Sequence, residues 1–237
     1  MTTTTRLPGA KAIVTGGARG IGAAIARRLV DEGAEVIILD LLADTGDACA
    51  ASIGATFLPV DLADPVQTRA VVASAIEELG GVDVLVNSAG VFRLVSLLDL
   101  EIDEWDRVMD INARAMLVTM QSVAPTMIAA GSGRIINLAS MAAKAGGANE
   151  AHYAASKAAV VALTRAAAIE WGPHGITANS ICPATCSPRW APPPEPPSRS
   201  PPGRPSHRSP ASGILTTSPA WRSTSPARMG HTSPVRP

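Results

Sequence analysis

Tyr153 and Lys157 stand four residues apart in the segment Tyr153-Ala154-Ala155-Ser156-Lys157. On a helix that spacing puts both side chains on one face. A lysine ammonium beside a phenol stabilises the phenolate and lowers the phenol's pKa from about 10. Such a tyrosine can exchange a proton with an alcohol or a ketone near neutral pH. Tyr153 is the sole tyrosine of the chain, and Lys157 is one of three lysines. Ser140 closes an apolar run 13 residues before Tyr153. A hydroxyl there can hydrogen-bond the reacting oxygen and steady the phenol. Taken alone, such a pair is more often a structural feature of an amphipathic helix surface, so its surroundings decide.

A second constellation lies near the N-terminus. An apolar run, Lys11–Thr15, leads into Thr15-Gly16-Gly17-Ala18-Arg19-Gly20-Ile21-Gly22, and helix formers follow. Glycines there permit a tight turn and let backbone approach a pyrophosphate, and the free N–H groups of the next helix point at the phosphates. The glycine pattern is informative only between a strand and a helix, which is its context here. Asp40 ends the second apolar run, about 20 residues on. Its carboxylate can accept both ribose hydroxyls of an adenosine and would repel a 2′-phosphate, which favours NAD. Arg19 can pair with a 2′-phosphate, which leaves NADP open.

These residues need a scaffold that brings them to one edge. Apolar runs at Lys11–Thr15, Glu35–Asp40, Ala55–Val60, Val82–Asn87, Arg134–Leu138 and Ile176–Cys182 read as strands. Helical patterns occupy Ile21–Val30, Asp64–Leu79, Asp103–Ala130 and Ala151–Trp171. Strands alternating with helices imply a parallel sheet covered on both faces, and crossover handedness makes it an α/β doubly wound, Rossmann-like fold. A hydrophobic content of 46% supports a core, and 3% aromatic content makes that core aliphatic. Glu77, Glu78 and the acids of Glu101–Glu104 read as solvated helix faces, and His152 as a pocket-rim residue.

Composition narrows the partners. A formal net charge of +0 argues against nucleic acid or an anionic membrane. No apolar stretch is long enough to span a bilayer, and Met1 to Arg6 has no apolar signal-peptide region. Cys49, Cys182 and Cys186 have no metal-ligand spacing and fit a reduced compartment. The expectation is a cytoplasmic protein with no metal. The charge is uneven, however. Residues 1–183 carry a net of −6, whereas 184–237 carry seven Arg, the single acid Glu195 and 14 of the 20 prolines. The expected organisation is one domain over 1–183, then a disordered Pro/Ser/Arg-rich tail over 184–237.

With these motifs in order, residues 7–183 resemble the short-chain dehydrogenase/reductase family. Its Thr-Gly-x-x-x-Gly-x-Gly pattern matches Thr15 to Gly22, and its Asn-Asn-Ala-Gly motif appears as Asn87-Ser88-Ala89-Gly90. Its adenine-contacting Asp matches Asp61, followed by Leu62, and its active-site Asn matches Asn112. Its Ser, Tyr and Lys match Ser140, Tyr153 and Lys157. The resemblance implies hydride exchange between nicotinamide and an alcohol or ketone. Tyr153 would donate or accept the proton, and Lys157 would lower its pKa and hold the nicotinamide ribose. Ser140 would bind the reacting oxygen, and Asn112 would support a water linking Lys157 to solvent. The cofactor set is Gly16, Arg19, Gly20, Ile21, Gly22, Asp40, Asp61, Leu62, Asn87, Ala89, Gly90, Tyr153, Lys157 and Pro183. Asn87 also reads as a sheet-stabilising residue. Homodimers or tetramers are expected of the family.

The pattern breaks after Pro183. The family continues with Pro-Gly, a Thr-Pro-Met turn, a substrate lid and a seventh strand. This chain has Pro183-Ala184 and then Pro-rich sequence. Back-translating the tail in a shifted frame allows Gly-x-x-Leu-Thr-Pro-Met over 184–190, and family-like C-terminal sequence over 214–226 and 231–236. The reading is a frameshift near the codons for Pro183 and Ala184. Loss of the seventh strand would leave the sixth with an unpaired edge and remove one contact used in assembly. Two functions follow. One is an NAD(P)-dependent oxidoreductase on an alcohol or carbonyl substrate. The alternative is a cofactor-binding remnant lacking the substrate lid and last strand. A basic interaction arm is a third reading of the tail.

Overall fold

The computed structural model of the chain describes residues 5–183, and the tail expected over 184–237 lies outside the described residues. Six strands form one parallel sheet: β1 (Lys11–Thr15), β2 (Glu35–Asp40), β3 (Thr56–Pro59), β4 (Val84–Asn87), β5 (Gly133–Leu138) and β6 (Ile176–Ile181). Their order is β3-β2-β1-β4-β5-β6. The order reverses between β1 and β4, and open α/β sheets bind ligands at such a crevice, beyond the carboxyl ends of the strands.

The inner strands β1, β2 and β4 are apolar on both faces because both faces are covered. In β1, Ile13 joins a core with Leu85, Ile135, Met120 and Val160. Its neighbours Ala12 and Val14 point the other way, into a core with Ile38, Val86 and Ala26. The first core lies under α3 (Pro65–Leu79), α5 (Ala115–Ala130) and α7 (Ala151–Trp171). The second lies under α1 (Gly20–Asp31) and α2 (Ala43–Ile53).

Helix ends follow local chemistry. α3 begins where Asp64 accepts the N–H groups of Val66 and Gln67, with Pro65 in the first turn, and stops at the left-handed Gly80. Those two donors hold the Asp64 carboxyl below its usual range. α2 is not among the helical patterns named from the sequence. Gly46 is there for packing, since a β-carbon on it would come within 2.5 Å of the Phe57 ring.

The helix expected over Asp103–Ala130 is three segments. α4 (Ile102–Met109) and α5 flank a wide π turn at Asp110–Arg114. Such turns mark places where one residue is inserted into a helix, and they recur at functional sites. Here the turn carries Asn112. A short helix, α6 (Ala142–Ala145), separates β5 from α7.

A buried chain of hydrogen bonds ties the sheet to α5 and α7. The Thr119 hydroxyl donates to Asn87 Oδ1 at 2.8 Å, and Asn87 Nδ2 donates to Asn137 Oδ1 at 3.0 Å. Asn137 Nδ2 then donates to Thr164 Oγ1 at 2.8 Å. Asn87 and Asn137 are register partners on β4 and β5, so the link is built into the sheet. Replacing Asn137 with Leu strands the Asn87 amide. It is expected to lower stability by about 2–3 kcal/mol in urea unfolding, whereas Glu77→Gln on an exposed face stays within about 0.5 kcal/mol.

Candidate active site

The expected site residues converge at the carboxyl ends of the strands. The turn after β1 is locked from two sides. Thr15 Oγ1 accepts the N–H groups of Ser88 and Ala89, at 3.2 and 3.3 Å, which fixes the turn after β1 against the one after β4. Gly16 has φ +66°, and a β-carbon there would sit 2.6 Å from the Ala89 backbone. Gly22 in α1 lies so close to the Gly16 carbonyl that a β-carbon would come within 2.1 Å of its oxygen. Only glycine fits either place.

α1 begins at Gly20 with Arg19 as its cap residue, no side-chain cap and no acid in its first turn. Among the described helices only α3 takes a capping oxygen from its own side chains, that of Asp64. The uncapped N–H groups of α1 suit an external anion such as a pyrophosphate. Arg19, Gly20 and Ile21 are exposed around this opening. Asp40 closes the far side. Its Oδ2 accepts Ala18 N–H at 3.0 Å and its Oδ1 accepts Leu42 N–H at 3.1 Å. Each oxygen retains a second lone pair for a ligand hydroxyl. Asp61 lies beyond β3, exposed, with its Oδ1 holding Ala63 N–H at 2.9 Å, and Leu62 beside it is buried. Pro183 follows β6, where its carbonyl accepts Met141 N–H at 3.3 Å.

The other end of the candidate site is built around a buried lysine. Lys157 is 4% exposed, and its Nζ donates to the Leu138 carbonyl at 2.7 Å. Nζ also lies 5.8 Å from the centroid of the Tyr153 ring, within cation–π range. Burial pushes the Lys157 ammonium from its ordinary value of 10.5 down to about 8. Gly90 borders the same space, since a β-carbon on it would lie 3.2 Å from Asn112 Oδ1 and 3.4 Å from Lys157 Nζ.

Asn112 is fully buried, and its amide is engaged at both ends. Oδ1 accepts Val91 N–H at 2.7 Å. Nδ2 donates to the Val91 carbonyl at 2.9 Å and to Ser156 Oγ at 3.0 Å. Ser156 in turn donates to the Tyr153 carbonyl at 2.7 Å. Asn112 therefore pins the segment after β4 to the turn of α7 that carries Tyr153. Phe92 meets Tyr153 edge-on, with ring centroids 4.8 Å apart and planes at 81°.

Some expectations shift. β5 ends at Leu138, so Ser140 lies just past the strand, where its Oγ accepts Ala142 N–H at 3.1 Å. The Asn87 side chain bonds within the sheet and to α5, in keeping with its reading as a sheet-stabilising residue. His152 is not at a pocket rim; it is fully buried and faces Glu104 of α4. Glu104 is not a solvated acid either, since its side chain is 13% exposed. Ser156, Phe92 and Asn137 gave no functional signal in sequence beyond a polar residue in an apolar strand at Asn137.

A family model described as short chain dehydrogenase matches residues 10–193. The chain belongs to the short-chain dehydrogenase family. A 3-alpha-(or 20-beta)-hydroxysteroid dehydrogenase of Mycobacterium tuberculosis is 41% identical over 180 residues, covering 75% of this chain and 69% of that one. A sorbitol dehydrogenase of Cereibacter sphaeroides is 41% identical over 181 residues, covering 75% and 71%. Among solved structures, an NAD+-bound xylitol dehydrogenase superposes with a TM-score of 0.74 at 32% identity, covering 76% of this chain and 71% of that one. This short-chain dehydrogenase is thus placed among oxidoreductases acting on CH–OH groups, in a family that uses NAD(P). No helix among the described residues is long and apolar enough to cross a membrane.

The buried lysine has a signature in stability. Its pKa is depressed in the folded state, so between about pH 8 and 10.5 the unfolded chain holds a proton that the folded chain has released. The cost of burying the charge is fully present below pH 8 and is relieved as pH rises through that window, by about 3 kcal/mol at most. Lys157→Met is expected to remove this rise. Urea unfolding of both proteins from pH 7 to 10.5 checks it through the difference in slope.

Proposed function

We propose that the chain exchanges a hydride between nicotinamide and an alcohol or ketone, with Ser140, Tyr153, Lys157 and Asn112 as its catalytic group. The observation that carries this reading is Lys157: a lysine buried at the strand ends, donating to the Leu138 carbonyl and lying over the Tyr153 ring. A structural lysine gains little from such a place, because burial disfavours its charge. A catalytic one gains a pKa near the working pH.

Each residue then has a task. Tyr153 gives a proton to the substrate oxygen in reduction and takes it in oxidation. Lys157 keeps the phenolate accessible near neutrality and would hold the ribose next to the nicotinamide. Ser140 hydrogen-bonds the substrate oxygen. Asn112 holds the segment after β4 in place and supports a water that links Lys157 to solvent. When bound, the dinucleotide supplies the hydride chemistry.

The residues present fit that group. The uncapped start of α1 would take the pyrophosphate, and Gly16, Gly20, Gly22, Ala89 and Gly90 would leave room for it. Ile21, 43% exposed, would pack against it. Asp61 and Leu62 would border the adenine. Asp40 would accept the ribose hydroxyls, so NAD is the preferred cofactor, and the nearby Arg19 is the residue that admits NADP. Pro183 would lie at the nicotinamide end. The substrate is a small alcohol or carbonyl compound, and α5 and α7 offer the faces for a homodimer or tetramer.

Tyr153→Phe tests the assignment. Turnover on a panel of alcohols and ketones is expected to fall by about 100-fold or more, while NADH still enhances its fluorescence on binding. NADH is also expected to bind more tightly than NADPH. Turnover unaffected by Tyr153→Phe contradicts the catalytic reading. NADH binding with no turnover by the parent chain would favour the cofactor-binding remnant.

A further inference from the structure

Tyr153 sits in a turn that its own helix holds poorly. It is the third residue of α7, whose cap residue Glu150 makes no side-chain cap bond, and no acid stands in the first turn. Uncapped first turns leave backbone donors unsatisfied and fray. A proton-transfer group cannot tolerate such looseness, because misplacement of about 1 Å costs on the order of 100-fold in rate. Something outside α7 must hold this turn.

Glu104 of α4 is placed to do so. Its two carboxylate oxygens accept Arg107 Nε and Nη2, both at 2.8 Å, so its position is fixed by a two-point bond. His152, the residue before Tyr153, turns its Nε2 to within 3.8 Å of Glu104 Oε1. His152 is fully buried, and neither ring nitrogen has a hydrogen-bond partner among the described residues. A buried polar ring without partners calls for an explanation, and the adjacent carboxylate is the nearest one. Arg93, the residue after Phe92, also acts on Glu104, and Arg107 first, then Arg93 and His152, hold the carboxyl below its usual range. The Glu104 carboxylate thus faces the neighbour of Tyr153, whose ring meets Phe92 edge-on. The same junction carries one backbone bond, from Val95 N–H to the Asn149 carbonyl at 2.7 Å.

We propose that Glu104 is a positioning residue for Tyr153: through His152 it ties the first turn of α7 to α4, and so steadies the Phe92–Tyr153 contact. The proposal rests on the reading of Tyr153 as the proton-transfer group for its importance to turnover, but not for its geometry. The charged groups on the packed elements are Lys157 and Glu150 on α7, Glu104 and Arg107 on α4, Arg93 after β4, and the exposed Lys144 on α6. Asp103 and Asp106 of α4 are exposed, and Asp110 pairs with Arg114 in the wide turn.

Because Tyr153 is the only tyrosine, tyrosinate absorbance reports its ionisation without ambiguity and without any need for turnover. In the full chain, Glu104→Gln is expected to shift the Tyr153 midpoint by about half a unit or more. Amide exchange in the first turn of α7 should quicken by roughly fivefold, the effect of losing a cap-sized restraint. Arg107→Met should do the same to a smaller extent. Unchanged titration and exchange in Glu104→Gln overturn the proposal, even if its thermal midpoint falls. Should Glu104→Gln fail to fold, an Arg107→Met variant indistinguishable from the parent overturns it equally. The reading of function fails separately, if Tyr153→Phe keeps its turnover.

Discussion

A lysine amine held out of water at the carboxyl end of β5 is the constraint around which the rest is arranged. Burial penalises its charge, and the Leu138 carbonyl and the Tyr153 ring face offset part of that cost. Those partners help only if α7 is held to the sheet without slack. Two hydrogen-bonded chains supply this. One runs from Thr119 through Asn87 and Asn137 to Thr164, and the other from Asn112 through Ser156 to the Tyr153 carbonyl. Asn87, Asn137, Thr164, Asn112 and Ser156 each both accept and donate, so little polar capacity is left unmet in the core.

The same economy brings the two halves of the site together. β1 and β4 are neighbours, so the turns after them must pack against each other. Thr15 bonds two backbone donors of the β4 turn, and Gly16 meets Ala89 at a distance no side chain would allow. That places Gly90 against Asn112 and Lys157. The turns after β1 and β4 and the Asn112–Lys157 end of the candidate site therefore border one another at the point where the strand order reverses. The wide turn in the α4–α5 region belongs to this design, since it sets Asn112 in the interior where it grips both polar groups of Val91.

Much of this was legible in the sequence, and what was not has a common cause. β1, β2 and α7 have the bounds expected from their apolar runs and helix formers. These elements are specified locally, by patterns bounded by glycine and polar residues. The approach of Tyr153 and Lys157 was legible because their i and i+4 spacing puts both on one helix face. The packing reason for Gly46 is not legible locally, because it lies on another strand, in the ring of Phe57. The one-residue insertion around Asn112 left no trace in a 28-residue helical pattern, since it is imposed by the backbone of Val91. Glu104 was misread as a solvated acid and His152 as a pocket-rim residue for the same reason. Their burial comes from α4 packing on α7, a contact between segments some 50 residues apart.

The central claim is that Lys157 is buried, with its charge poised near neutrality beside Tyr153. It is most directly tested by following the three lysine side chains by NMR in isotope-labelled protein across an alkaline titration. One resonance should titrate with a midpoint of about 8 and vanish in Lys157→Met. A Lys157 resonance that titrates at the ordinary value of about 10.4 would contradict the account.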